Sequence, residues 1–374
     1  MESKEKVIIY PFDLEIVPVL KNTEFLSRYE IIGLVSPKGW GLTNKDGGVV
    51  NGEKLGIEVT DDFSGLLEKC DTVIFNHPQI RVSFDKLMKS KLEETIGKEK
   101  NIISLTPIDE ELLLSLTQQC KARNLYIKPY GNIQNNINYH FEEGIEYIHA
   151  INSPVIFVMG MGERTGKFEI QLSLREQLIM KGYKLSQVGT RSYCEMFGFH
   201  SMPAFMYDDY LSADKKILLF NHFVKSIETK ENPDLIVIGV PGGLYPLSND
   251  FTNKFGAAAY QISQALKPDA VILSTYYDDY TPAFFEEILT GVKYRFGSHI
   301  DCYNLAHFKL DWESSRQDRR LTYITIDSQM VEQKKKEFST LDRPVYNCSS
   351  PNDIKELAEY LIEKLSDYSN VTLM

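Results

Sequence analysis

Short apolar runs and amphipathic stretches alternate along the whole chain. In the first part the runs are Val7–Tyr10, Tyr29–Val35, Thr72–Asn76, Asn101–Leu105 and Leu125–Lys128. Between them the apolar spacing is helical, over Leu14–Arg28, Phe63–Lys69, Phe84–Ile96 and Glu110–Arg123. The last of these opens on Asp109-Glu110-Glu111, an acidic first turn that suits the positive end of a helix dipole. Strands and helices in strict alternation predict a parallel sheet covered by helices on both faces. The first run is followed by Pro11-Phe12-Asp13 rather than by G-x-G-x-x-G. A Rossmann-like domain is therefore expected, without the dinucleotide-binding fingerprint.

The alternation stops over residues 131–153, a polar stretch carrying Asn132, Asn135, Asn136 and Asn138. A domain boundary is expected there, dividing the chain into 1–135 and 136–374. Beyond it, strands are expected at Val155–Met159, Lys184–Val188, Leu235–Val240, Ala270–Thr275, Cys302–Ala306 and Thr322–Ile326. Helices are expected at Lys167–Lys181, Asp214–Lys230, Phe255–Leu266, Pro282–Thr290, Ser328–Phe338 and Asn352–Leu365. The fold class expected is thus α/β, with two doubly wound domains.

The junction of the second domain's first strand and helix carries the chemistry. Val155-Ile156-Phe157-Val158-Met159 runs into Gly160-Met161-Gly162-Glu163-Arg164-Thr165-Gly166-Lys167 and then into a helix. Glycines let consecutive N–H groups turn toward an anion. The helix N-terminus adds positive potential at the same place, and a lysine reaches phosphate oxygens. Gly160, Gly162, Glu163, Arg164, Thr165, Gly166 and Lys167 are the candidate phosphate-binding residues, in a degenerate Walker A loop. Five residues separate Gly160 from Gly166, and the position that should carry a Mg²⁺-holding hydroxyl is Phe168. A second glycine turn, Gly242-Gly243, ends the apolar run Leu235–Val240. In an open α/β sheet, loops at the carboxyl ends of neighbouring strands flank one crevice, so these glycines join the candidate set. Each junction also has a plainer reading, a tight turn with packing glycines.

Two aromatic–acidic clusters follow, Tyr207-Asp208-Asp209-Tyr210 and Tyr276-Tyr277-Asp278-Asp279-Tyr280. The second lies just past the run Ala270–Thr275, where sites form. Asp278 and Asp279 are candidate acid–base residues, with Lys167 stabilising developing charge. Their plainer reading is a helix cap with packing tyrosines. Arg191, in Thr190-Arg191-Ser192, is a candidate for bidentate anion contact. His200 is a weaker candidate, because a lone histidine is more often a structural hydrogen-bonder. Trp40-Gly41 through Asp46-Gly47-Gly48 is a surface turn or a substrate lid.

Bulk properties narrow the class. With 374 residues the chain has room for two domains, and 43% hydrophobic with 25% charged residues is ordinary for a globular protein. A net charge of −11 argues against nucleic acid or an anionic membrane as partner. No run approaches the length of a membrane span, and the opening residues lead straight into a strand, so no signal peptide is expected. The five cysteines have no paired spacing and the seven histidines are scattered. Free thiols, a cytoplasmic location and no metal-ligand cluster are therefore expected.

The Gly160–Lys167 spacing, with Pro241-Gly242-Gly243-Leu244-Tyr245-Pro246-Leu247, resembles the P-loop proteins related to dethiobiotin synthetase. It is closer to a two-domain family linked to N-acetyl-amino-acid racemisation, which joins a Rossmann-like domain to such a P-loop domain. In dethiobiotin synthetase a Thr after the loop lysine and a Glu before the glycine pair serve the metal; the matching positions here are Phe168 and Gly239. The resemblance implies ATP or another phosphate ligand, while the two departures argue against ordinary Mg·ATP chemistry unless Glu163, Glu169 or Asp250 supplies a carboxylate. Tyr10-Pro11-Phe12-Asp13 and Leu34-Val35-Ser36-Pro37-Lys38-Gly39-Trp40-Gly41 are similar to the peptide maturation system proteins of bacterial clusters that make ribosomal peptide natural products. That resemblance implies a precursor peptide and a peptide-modifying enzyme as partners.

The expectation drawn from these features is an accessory protein of peptide maturation with a P-loop-type phosphate or nucleotide crevice. An ATP-dependent ligase or kinase that activates a carboxylate is the enzymatic alternative. A racemase or epimerase is a third, for which the residues show no pair of bases.

Overall fold

The computed structural model describes residues 3–48, 54–78, 85–132 and 147–369. The chain divides into two compact units: Met1–Ile137 with Ser192–Gly198, and Asn138–Arg191 with Phe199–Met374. The boundary expected over 131–153 falls mostly on residues outside the described set. Each unit is a parallel sheet with helices around it.

In the first unit the strands are β1 (Glu5–Tyr10), β2 (Tyr29–Val35), β3 (Val59–Thr60), β4 (Thr72–Phe75), β5 (Asn101–Ser104) and β6 (Ile127–Pro129). They lie in the order β3-β2-β1-β4-β5-β6 and every pair is parallel. That is the strand order of the dinucleotide-binding Rossmann fold. The helices are α1 (Val17–Leu20), α2 (Thr23–Arg28), α3 (Phe63–Leu67), α4 (Ser90–Gly97) and α5 (Glu110–Ala122). The single helix expected over Leu14–Arg28 is in fact three short pieces. Asp13 caps a turn at Leu14–Ile16, Pro18 stands in the first turn of α1, and Asn22 caps α2 by accepting from Phe25 N at 3.0 Å. Two capping side chains thus restart the helix within one apolar period. The expected helix start at Phe84 lies outside the described residues. In the turn after β2, the Asp46 carboxylate accepts from Gly48, Leu55 and Gly56 backbone N–H groups at 2.7–2.8 Å.

The second sheet contains β7 (Val155–Gly160), β8 (Leu185–Gly189), β9 (His200–Ser201), β10 (Leu235–Gly239), β11 (Ala270–Thr275), β12 (Cys302–Leu305) and β15 (Val345–Tyr346). Their order is β15-β12-β11-β7-β10-β8-β9. The strand expected at Thr322–Ile326 is β14 (Tyr323–Thr325), and it leaves the main sheet to pair antiparallel with β13 (Phe308–Leu310). The helices are α6 (Lys167–Met180), α7 (Ala213–Glu231), α8 (Ala257–Ala265), α9 (Pro282–Phe296), α10 (Trp312–Asp318), α11 (Ser328–Glu337) and α12 (Pro351–Ser369). Helix α9 runs past its expected end at Thr290, because the stop is Gly297 at φ +70°, not Gly291.

β7 is buried along its whole length, and its side chains alternate between two cores. Val155, Phe157 and Met159 pack into one with α7, α8 and α9, while Ile156 and Val158 pack into the other with α6 and α12. The central strand is thereby clamped from both faces, which fixes where its carboxyl end points.

One device recurs at the amino edge of both sheets. An aspartate just before a strand exchanges two hydrogen bonds with a residue at the start of the neighbouring strand. Its N–H donates to that residue's carbonyl, and its carboxylate accepts that residue's N–H. Asp71 does this with Lys6, Asp234 with Lys184, Asp269 with Val155 and Asp301 with Val271, at 2.7–2.9 Å. Each pair closes a ring that a one-residue slip would break, so the aspartates specify register. Asp301 is buried and also receives Lys364 Nζ at 2.7 Å. Asp301→Ala leaves the buried Val271 N–H without its acceptor and is expected to cost about 1–3 kcal/mol, measured as a lower denaturant midpoint at unchanged slope.

Candidate functional site

The site is built where β7 and β10 end side by side. The pairing Ile238↔Phe157 and Gly239↔Val158 carries both strands to the same edge, and each runs into a glycine turn. Gly166 at φ +74° and Arg164 at φ +57° curl the first turn into a cradle ahead of α6. Within it the backbone N–H groups of Gly162, Glu163, Thr165 and Gly166 find no acceptor among the described residues. Those are the donors that an anion would satisfy.

Lys167 links the two turns. Its ammonium donates to Gly162 O at 2.9 Å and to Gly242 O, leaving one of its three N–H groups for a ligand. The side chain is only 6% exposed. Burial pulls its pKa below the ordinary lysine value, the Glu163 carboxylate opposes that, and the Arg191 charge adds to it. Glu163 and Arg191 therefore both bear electrostatically on Lys167, one of each sign.

The glycines are dictated by close approach. A Cβ on Gly160 would collide with Thr165 Oγ1, one on Gly162 with the Tyr276 hydroxyl, and one on Gly243 with Asn253 and with Met161 O. Gly242 needs its φ of +72°. The cradle is braced from several strands. Thr165 Oγ1 donates to Gly162 O at 3.2 Å, Ser274 Oγ donates to Thr165 O, and Met161 N donates to Ser274 O at 2.9 Å. Asn253 Nδ2 donates to Met161 O at 2.8 Å and to Tyr245 O at 3.1 Å, tying the second turn to the first. Beside the start of α6 a cleft is lined by Gly166, Glu169, Asn304, His307, Cys348 and Ser349. In it Glu169 accepts from Ser349 Oγ at 3.1 Å.

The aromatic–acidic cluster after β11 splits in two. Tyr276 OH donates to Glu163 O at 2.7 Å and Tyr280 OH to Met161 Sδ at 3.7 Å, so the tyrosines support the cradle. The carboxylates face lysines instead. Asp279 is largely exposed and accepts from Lys334 at 2.5 Å, which lowers its pKa, and Asp278 lies 3.9 Å from Lys309. Arg164 sets its guanidinium over the Tyr323 ring at 5.0 Å. His200 pairs with Glu231 at 2.6 Å, at the sheet edge. The sequence reading missed Asn253, Ser274 and Tyr276 as supports of the loop. Ser274 and Tyr276 were in view as strand end and cluster, but nothing in their spacing tells which backbone carbonyl they meet.

The resemblance to P-loop proteins implies Mg²⁺, and the two positions expected to serve it, Phe168 and Gly239, supply no oxygen. Phe168 is buried against Phe199, with ring centroids 5.9 Å apart, and offers no oxygen. Gly239 has no side chain, and the space above it is taken by the Gln171 amide, with which a Cβ would collide. Among the described residues no group of three or more His, Cys, Asp or Glu could hold a metal ion, and no helix is long and apolar enough to cross a membrane. All five cysteines are free and buried.

No family model and no curated protein matches the chain. Among solved structures, it is similar over 96% of its length to the whole of a DUF1611 family protein from Anabaena variabilis, at 12% identity and a TM-score of 0.58. Weaker likenesses include a nucleotide-binding protein in complex with ADP from Archaeoglobus fulgidus, 13% identical, covering 56% of this chain and 88% of that one at a TM-score of 0.31. A GTPase from Pyrococcus abyssi is 14% identical, covering 57% and 97% at 0.30. The full-length likeness shows a shared two-domain α/β fold.

Asn253→Ala removes both bonds that tie the second turn to Met161 and Tyr245. The Met161 amide, which donates to Ser274 O, is then expected to exchange with solvent faster, with local opening easier by about 1–2 kcal/mol. Unchanged exchange would show that Asn253 is not a brace.

Proposed function

We propose that the second unit binds the phosphate end of a phosphorylated ligand in the cradle Gly160–Lys167, closed on its far side by Gly242-Gly243. The observation that carries this reading is the buried ammonium of Lys167, bonded to a carbonyl of each turn and set beside N–H groups that the protein itself leaves unsatisfied. A positive group is costly to bury, and an anion arriving at this point would offset that cost while taking up the free donors. The ligase or kinase reading needs a metal-holding oxygen that Phe168 and Gly239 do not supply, so binding is favoured over phosphoryl transfer. The wider role proposed, service to a peptide-modifying enzyme and its precursor peptide, is supported by the opening sequence motifs. It is tested by whether peptide maturation in a reconstituted system depends on this chain.

The binding reading is tested by isothermal titration with ATP, ADP and inorganic pyrophosphate. Lys167→Ala is expected to weaken binding by about 1.5–3 kcal/mol, roughly 10- to 150-fold. No heat from any of the three, on folded protein, would overturn it.

The pH dependence follows from Lys167. The free-state pKa lies below 10.5, and a bound anion raises it. The ammonium is present at all lower pH, so affinity is full there and is lost as pH rises through the depressed value. The expected result is a decline that begins below the ordinary lysine value and vanishes in Lys167→Ala, read from dissociation constants across the alkaline range.

A further inference from the structure

Two of the scattered histidines meet at the other end of β7 from the cradle. The segment 147–153, which leads into β7, is held along α7 by side chains of that helix. Asn221, fully buried, accepts from His149 N at 2.8 Å and donates to His149 O at 3.0 Å and to Ala265 O at 2.9 Å. His222 Nε2 lies 3.0 Å from Tyr147 O. Lys225 donates to Ala150 O at 2.9 Å, and Glu228 accepts from Asn152 N at 2.6 Å and from Ser153 N at 2.7 Å. The backbone of His149 is thereby fixed against the turn of α7 that carries His222. The two imidazole rings stand with their centroids 4.6 Å apart, tilted by 57°. Both are half-buried, beside the largely exposed ring of Tyr147.

We propose that His149 and His222 together bind a borderline divalent transition cation of the Zn²⁺ type, and that the cation pins the segment 147–153 to α7. The nitrogen chemistry comes first. A carbonyl only accepts, so His222 Nε2 donates to Tyr147 O, and the lone pair of the neutral ring is on Nδ1. An imidazole whose far N–H is bound to a backbone carbonyl is the form in which metal-ligating histidines are held. Neither His222 Nδ1 nor either ring nitrogen of His149 has a hydrogen-bond partner among the described residues. The spacing comes second. Two imidazoles that share one Zn²⁺ at Zn–N of about 2.0–2.1 Å, at an angle between square and tetrahedral, have ring centroids about 4.5–5.2 Å apart. The observed separation falls in that range. Charge does not oppose the ion. Lys225, three residues on from His222, turns its ammonium to Ala150 O and is neutralised by Glu228 at 2.5 Å. Nitrogen ligands select zinc, copper or nickel over Mg²⁺ and Ca²⁺, which take oxygen. Two protein ligands leave the remaining positions to water, which the partial exposure of the pair admits. No residue of this site belongs to the cradle, so the proposal stands apart from the phosphate reading.

The test is isothermal titration of zinc chloride, with magnesium chloride as the oxygen-seeking control, into the full chain. The proteins are wild type, His149→Ala, His222→Ala and, as a control, His299→Ala, an exposed histidine elsewhere in the same unit. Thermal melts without metal establish that each variant is folded. Wild type is expected to take up Zn²⁺ saturably and to ignore Mg²⁺. Alanine at either member of the pair is expected to weaken Zn²⁺ binding by at least about 10-fold, since loss of even an outer partner of a ligand costs that much. His299→Ala is expected to bind as wild type does. The pinning is read by hydrogen exchange: the Asn152 and Ser153 amides are expected to slow when Zn²⁺ is added to wild type, and not in either variant of the pair. No uptake of Zn²⁺, or uptake that either substitution leaves unchanged, overturns the site. Uptake that needs both histidines but leaves those amides unprotected overturns the pinning.

Discussion

The ammonium of Lys167 sits almost out of solvent and is held by carbonyls from two different turns. It can do so only because β7 and β10 are parallel neighbours whose ends are level. A shift of one residue in that pairing would separate Gly162 O from Gly242 O and leave a buried charge without partners, a cost of several kcal/mol. The aspartate exchanges at the opposite edge fix the pairs on either side of this one. Asp234 sets β10 against β8, and Asp269 sets β11 against β7. The sheet is therefore fixed at its amino edge by aspartates and joined at its carboxyl edge by a lysine, with an apolar strand packed on both faces between them.

The glycine loop is built to hold one conformation. A decayed loop would keep its glycines by chance and fill the space they leave. Here Gly160, Gly162 and Gly243 are each confined by a specific neighbour, and Asn253, Ser274 and Tyr276 spend polar side chains on the loop's backbone. The substitutions at 168 and 239 are also packed, by Phe199 and Gln171. The loop is thus held in a defined conformation while positions 168 and 239 carry no oxygen.

Much of this was legible in the chain. The apolar runs Tyr29–Val35 and Ala270–Thr275 coincide with β2 and β11 end to end, and in β11, buried on both faces, the strand reads as an unbroken apolar segment. The cradle and Lys167 were visible because glycine, lysine and a following helix are a local pattern. What stayed hidden is non-local. β3, β9 and β15 are two-residue strands that exist only through their neighbours' pairing. Thr322–Ile326 has a strand's composition, but nothing in it tells which partner it takes. Asp278 and Asp279 looked like site residues by position along the chain, and the lysines that engage them, Lys309 and Lys334, come from distant segments.

The first unit offers the internal comparison. Its strand order is that of a dinucleotide-binding domain, and its switch point lies between β1 and β4. The turn after β1 has no glycine and carries Asp13, whose carboxylate accepts from Asn76 Nδ2 at 3.1 Å, while the same amide donates to Pro11 O at 3.2 Å. A carboxylate held there repels a diphosphate. Both sheets therefore provide strand ends of the kind at which ligands bind, and among the described residues the second lines them with the Gly160–Lys167 turn and the Lys167 ammonium. The same topology carries a different loop in each unit, and the difference lies in a handful of side chains: Asp13 and Asn76 in one, Lys167 in the other.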